Sequence, residues 1–142
     1  MNYPFKYSDA GRSGSRRPKQ SNDCTVRALA IVCGIEYDQA YDLIAAAGRK
    51  SGKGFYFREF IDSKKANGFM FTWMSFPAIK GETRMNPVKF CQRYTNGRYI
   101  IKTARNVAAV IDGVLYDVAP ERSDRCVYGA WNISACKPAG HE

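Results

Sequence analysis

The run Gln20-Ser-Asn-Asp-Cys24-Thr-Val-Arg-Ala-Leu-Ala30-Ile-Val-Cys-Gly34 decides how the chain begins to fold. Asn22 or Asp23 can cap a helix, because either side chain accepts a hydrogen bond from the free N–H groups of a first turn. Val26, Leu29, Ala30 and the Val32–Cys33 pair then recur at helical spacing. Gly34 follows the last of them, where a left-handed residue closes a helix. The spacing predicts a helix from 22–23 to 33. Downstream, Ala40, Leu43, Ile44 and Ala47 form one stripe over 38–47, and Gly48 stops it. Two helices joined by a short turn make an αα-hairpin.

Beyond the hairpin lies a basic loop, Arg49-Lys-Ser-Gly-Lys-Gly54. It is not a phosphate-binding P-loop, which needs a preceding strand and a Lys-Ser/Thr pair opening a helix. Residues 55–66 read as a third, shorter helix with Phe57, Phe60 and Ile61 inward, ended by Asn67-Gly68. From Phe69 the period changes to two, and Phe69 to Phe76 reads as a strand. Pro77 to Arg84 is a loop. Asn86-Pro87 opens a short helix with Val88, Phe90 and Cys91 as candidate core. After the Asn96-Gly97 turn come strands at 98–103, 107–111 and 114–118. Asp112-Gly113 joins the last two and suits a two-residue type I′ hairpin. A last strand spans about 126–133. Helices first and an antiparallel meander after them define an α+β class, with N-terminal helices packed on a C-terminal antiparallel sheet.

The chain has 142 residues, 45% of them hydrophobic, enough for one domain with an ordinary core. It carries 22 Lys and Arg against 13 Asp and Glu, a formal net charge of +9. That balance favours an acidic partner such as nucleic acid. There is a single His, His141, next to the last residue. A Ser-His-Asp or Cys-His-Asn mechanism would need that tail residue as its base, and an imidazole-rich zinc site is excluded. The five cysteines (24, 33, 91, 126 and 136) form no C-x-x-C pair. Their odd number and the lack of a secretory apolar segment before them predict reduced thiols in a cytoplasmic protein. No apolar run reaches the roughly 20 residues of a membrane-spanning helix. Neither a metal nor a cofactor is expected.

The positive charge collects in two places. Residues 1–18 read as an irregular, flexible, basic arm, and 19–142 as one domain. Arg16, Arg17 and Lys19 flank that boundary. Such an arm either solubilises the terminus or contacts phosphate. The second cluster holds Arg49, Lys50, Lys53, Lys64 and Lys65. Phe55, Tyr56 and Phe57 interleave it, and aromatics beside bases can stack nucleobases. These eight cations are the candidate surface for nucleic acid or a protein partner. The competing reading puts Phe57 in the core and the lysines on a solvated face.

Cys24 has the most suggestive chemical context. At a helix start, free N–H groups and the helix dipole favour an anion, the setting that produces nucleophilic thiols. Gln20 lies four residues upstream, with an amide that could donate to an oxyanion. Gln20 to Ala30, the Ala-Tyr pair at 40–41, Gly97-Arg-Tyr-Ile-Ile-Lys-Thr103, Val107 to Gly113 and Tyr116-Asp117 follow in order. Together they resemble the papain-like cysteine peptidase fold, in the small form found in phage and bacterial proteins. The layout is also similar to the peptidase domains of bacteriocin-processing exporters. The resemblance covers residues 19 to 133. It implies that Gln20 serves the oxyanion hole, Cys24 is the nucleophile and Asp117 orients an imidazole. It also implies a His just before Val107, where this sequence has Asn106. An amide neither takes nor gives a proton near neutral pH, so the general acid–base step is missing.

Three readings follow. In the first, a degenerate, inactive papain-like protein binds a protein or nucleic acid, as a phage-encoded host-directed factor would. In the second, an active cysteine hydrolase works with an unusual base, or its own His has been replaced at 106. In the third, a basic nucleic-acid-binding protein uses the same scaffold.

Overall fold

Each apolar stripe becomes one face of an element in the computed structural model, which describes residues 2–136. His141 lies outside the described residues. Helix α1, Cys24–Cys33, starts on Asp23 and closes on Gly34, which is left-handed at φ 65°. Helix α2, Tyr37–Ala46, packs against it through Tyr37, Ala40 and Ile44. Helix α3 is shorter than the sequence suggests: Phe57–Ile61, then a single 3-10 turn at Lys64–Ala66. The Ser63 hydroxyl accepts from the Lys65 N–H at 3.2 Å and starts that turn, so the run 55–66 breaks in two. Helix α4, Pro87–Arg93, begins with proline in its first turn and the Asn86 side chain accepting from Lys89 N–H.

The sheet has six strands in the order β1-β5-β4-β3-β6-β2. They are β1 Phe5–Tyr7, β2 Phe69–Ser75, β3 Arg98–Lys102, β4 Val107–Ile111, β5 Val114–Asp117 and β6 Gly129–Cys136. All neighbouring pairs run antiparallel except β1, which lies parallel to β5. The sheet is therefore mixed, which corrects the purely antiparallel expectation. The irregular arm is corrected with it. Three residues of the basic N-terminal segment form an edge strand through pairing with β5, a tertiary event that no local period announces. The last strand also begins three residues later than its sequence pattern, at Gly129.

The pleat sorts the core into two layers. Ile100, Val107, Ala109, Trp131 and Ile133 face α1, α2 and α3. Tyr99, Ile101, Ala108, Val110 and Ala130 face the opposite way, onto Phe90 and Cys91 of α4. In the β4–β5 hairpin both Asp112 (φ 50°) and Gly113 (φ 77°) are left-handed, as a type I′ turn requires. The fold is α+β, with the hairpin of α1 and α2 against one sheet face. Among the described residues no helix is long and apolar enough to cross a membrane.

Candidate functional site

The N-terminus of α1 and the start of β4 meet over the sheet, and two quite different environments form there. Behind the helix end lies a buried chain of charges. Asp23 is only 1% exposed. Its carboxylate accepts from Tyr37 Oη at 2.7 Å, from Arg27 Nε at 3.1 Å and from Arg12 Nη1 at 3.0 Å. Burial alone would raise its pKa. The Tyr37 hydroxyl and the two guanidiniums outweigh that and hold it below the ordinary carboxylate value. Arg27 reaches on to the buried Asp117 of β5, so one guanidinium bridges two carboxylates. Asp117 also accepts from Val118 N–H at 2.7 Å.

The chain ends at Asn106. Its Nδ2 donates to Asp117 Oδ2 at 3.2 Å and to Glu121 Oε1 at 2.7 Å. A tight turn holds it there, with Thr103 N–H donating to the Asn106 carbonyl at 3.0 Å. Asn106 and Asp117, both candidate residues of the sequence, are thus hydrogen-bonded to each other. Glu121 is a second orienting carboxylate that the sequence reading missed. Its own backbone is fixed by Tyr3, whose hydroxyl donates to the Glu121 carbonyl at 2.5 Å. Burial and the charge of Glu121 push the Tyr3 phenol up to about 12.

In front of the helix end lies an open cleft of about 640 Å³. Cys24 and Asn106 both line it, with Phe55, Tyr56, Phe57 and Trp131 supplying apolar wall. Lys102, Arg105 and Arg58 supply the cationic lining, and Glu59 the acidic one. Cys24 is half-buried, and its thiol makes no hydrogen bond among the described residues. Lys102 reaches the cleft because β3 alternates. Ile100 and Lys102 share the α1 face, while Ile101 points to the other layer. Gly129, the register partner of Lys102 on β6, is buried under the Trp73 ring. A side chain at Gly129 would run into the Trp73 ring.

Gln20 does not stand where an oxyanion-hole donor is expected. It is absent from the cleft lining and is bound to the 49–52 loop instead. Its Oε1 accepts from Gly52 N–H at 2.6 Å and Arg49 Nη2 at 2.9 Å, and its Nε2 donates to Ser51 Oγ at 3.2 Å.

The eight candidate cations divide. Arg49 is 5% exposed and structural: its guanidinium donates to Gln20, Ser21 and Asn22. Arg17 pairs with Asp38 and Asp42 at 2.7 and 2.8 Å and lies 3.9 Å over the Tyr41 ring. Arg16 contacts the same two carboxylates. Lys19, Lys50, Lys53, Lys64 and Lys65 are exposed and form no ion pair among the described residues. Of the other thiols, Cys91 is buried, which pushes its pKa up to about 11. At the far end of α1 the neighbouring Cys136 thiol and burial raise the Cys33 thiol. Among the described residues no group of three or more His, Cys, Asp or Glu stands together as a metal site.

No protein-family model, curated protein or solved structure matches this chain.

Proposed function

We propose that this chain is a degenerate papain-like cysteine-peptidase fold, catalytically inactive, that uses its cleft to bind a partner protein. One observation supports the reading: the amide of Asn106, the residue that the resemblance aligns with the base, is committed to Asp117 and Glu121. Both carboxylates would suit an imidazolium. An amide bound between them exchanges no proton with a thiol or a leaving amine. Losing the base of such a site removes several orders of magnitude in rate. Turning the Gln20 amide toward the 49–52 loop takes away the expected oxyanion donor as well. The largely apolar walls of the cleft remain, and they suit an extended peptide segment better than a phosphate backbone.

The charge distribution favours a protein partner over nucleic acid. Arg16, Arg17 and Arg49 are engaged in internal contacts, so five of the eight candidate cations, all lysines, are left exposed and without an ion pair among the described residues. Those lysines support nucleic-acid binding as the second reading. That reading requires affinity for single-stranded RNA or DNA that falls steeply as salt rises. The proposed compartment is the cytoplasm, where five reduced thiols are the ordinary state.

Selection of a displayed random peptide library against the protein tests the first reading. Enriched peptides should bind the Cys24→Ala variant as well as the native chain. They should lose binding when Cys24 carries a bulky maleimide that fills the cleft. Cleavage of those peptides in a Cys24-dependent way, or binding indifferent to the maleimide, would overturn it.

A further inference from the structure

Outside the cleft, three cations converge on a second concavity. It holds about 340 Å³ between the loop that follows β2 and the outer face of α4, and it shares no lining residue with the cleft. Phe90 and Cys91 turn α4 toward the core, which leaves Lys89 and Arg93, one turn apart, on this side. The Lys89 ammonium donates to the Thr83 carbonyl at 3.2 Å, which fixes it beside Arg84, the next residue. The Arg84 guanidinium donates through Nη2 to the Phe76 carbonyl at 3.4 Å and lies 5.6 Å from the centre of the Tyr128 ring. Its Nε is shielded from water and has no hydrogen-bond partner among the described residues. Buried N–H groups are nearly always paired, and leaving one unpaired is costly. None of the three cations forms an ion pair among the described residues. Glu82 is the one carboxylate of the lining, so a surplus of two positive charges faces the concavity. Lys89 and Arg93 repel each other at their spacing, and an anion between them relieves that.

We propose that this concavity binds the phosphate of a small phosphomonoester. A monoester phosphate carries close to two negative charges above its second pKa of about 6, which matches the surplus. Its three free oxygens can meet the planar Arg84 fork and the two flanking cations at once. A diester of the kind found in a nucleic-acid backbone brings one charge and two free oxygens, and fits less well. The volume lies at the small end of ligand pockets, with room for a phosphate and one ring. The exposed Ile79 and Pro77 offer apolar surface to the organic part of the ester. The site contains neither Cys24 nor Asn106, so it stands or falls independently of the cleft reading.

Phenyl phosphate is the probe, titrated into the full chain by isothermal calorimetry at about pH 8 and a fixed ionic strength of about 0.15 M. Binding should saturate at one per chain with a Kd of about 1 mM or tighter. Arg84→Gln and Arg93→Gln should each weaken it at least about tenfold, the loss of one charge-assisted contact. Lys64→Gln combined with Lys65→Gln removes two positive charges elsewhere and should stay within about twofold of the native chain. Methyl phenyl phosphate, the diester with the same ring, should bind at least about tenfold more weakly. A thermal melt reports whether each variant is folded. Arg93 is exposed, so Arg93→Gln carries the test if Arg84→Gln does not fold. No saturable binding up to about 10 mM, or affinity indifferent to Arg93→Gln, would overturn the site. So would equal weakening by the Lys64 and Lys65 changes, or equal affinity for the diester.

Discussion

Asp23 and Cys24 are neighbours in the chain and opposites in the fold. Asp23 is shut behind the first turn of α1, and its carboxylate is met by Tyr37, Arg27 and Arg12. Cys24 opens in front of the same turn into a cleft, with no hydrogen bond to its thiol among the described residues. The first environment is satisfied and closed, and its work is to fix the helix end against β5. The second is left unfilled at the residue with the most reactive chemistry. The difference separates what builds the site from what the site is for.

The contrast should break first on its closed side. Arg27→Met leaves Asp23 and Asp117 buried without their shared counter-charge, and should cost about 3–5 kcal/mol. Urea denaturation measures it, and a loss under about 1 kcal/mol would mean that the network contributes little. The pH dependence follows from Asp23. Its folded pKa lies below its unfolded one, so the unfolded chain takes up its proton first as pH falls. The stabilisation is complete above the ordinary carboxylate pKa and is lost as pH drops through the folded value. The stability gap between the native chain and Asp23→Asn should therefore narrow steadily below about pH 4.

A smaller effect belongs to the boundary between the two environments. Asn106→Ala removes one hydrogen bond each from the buried Asp117 and the half-buried Glu121 and should cost about 1–2 kcal/mol. Asn106→His keeps both carboxylates partnered and should hold stability within about 1 kcal/mol of the native chain. It should also produce Cys24-dependent hydrolysis of activated esters, which a chromogenic assay reads. The smallest change is expected on the open side. Cys24→Ala should alter stability by no more than about 1 kcal/mol, since the thiol has no partner to lose. A larger loss would place Cys24 with Asp23 as structural.

The elements were legible wherever local pattern sets them. α1 and its Gly34 stop, the Asn86-Pro87 start of α4 and the Asp112-Gly113 turn all follow from caps and turn residues. Strand β1 was not, because three residues carry no period and only β5 makes them a strand. At the site, Cys24 and Asn106 line one cleft, and Asp117 is hydrogen-bonded to Asn106. Gln20 does not, because its amide finds better-placed partners at Ser51 and Gly52. Glu121 and Lys102 were missed for opposite reasons. Glu121 lies in a charged loop with no motif around it. Lys102 ends an apolar strand, and only the pleat reveals that it shares a face with Ile100. Arg16, Arg17 and Arg49 read as free charge because their carboxylate and carbonyl partners are distant in sequence, 21 to 29 residues away.

The central claim is that Asn106 has ended catalysis in a cleft that is otherwise kept. Its most direct measurement is hydrolysis of a pooled fluorogenic peptide library by the native chain, alongside Cys24→Ala at the same concentration. The account predicts that the two traces coincide at background. Hydrolysis by the native chain that vanishes in Cys24→Ala would contradict it.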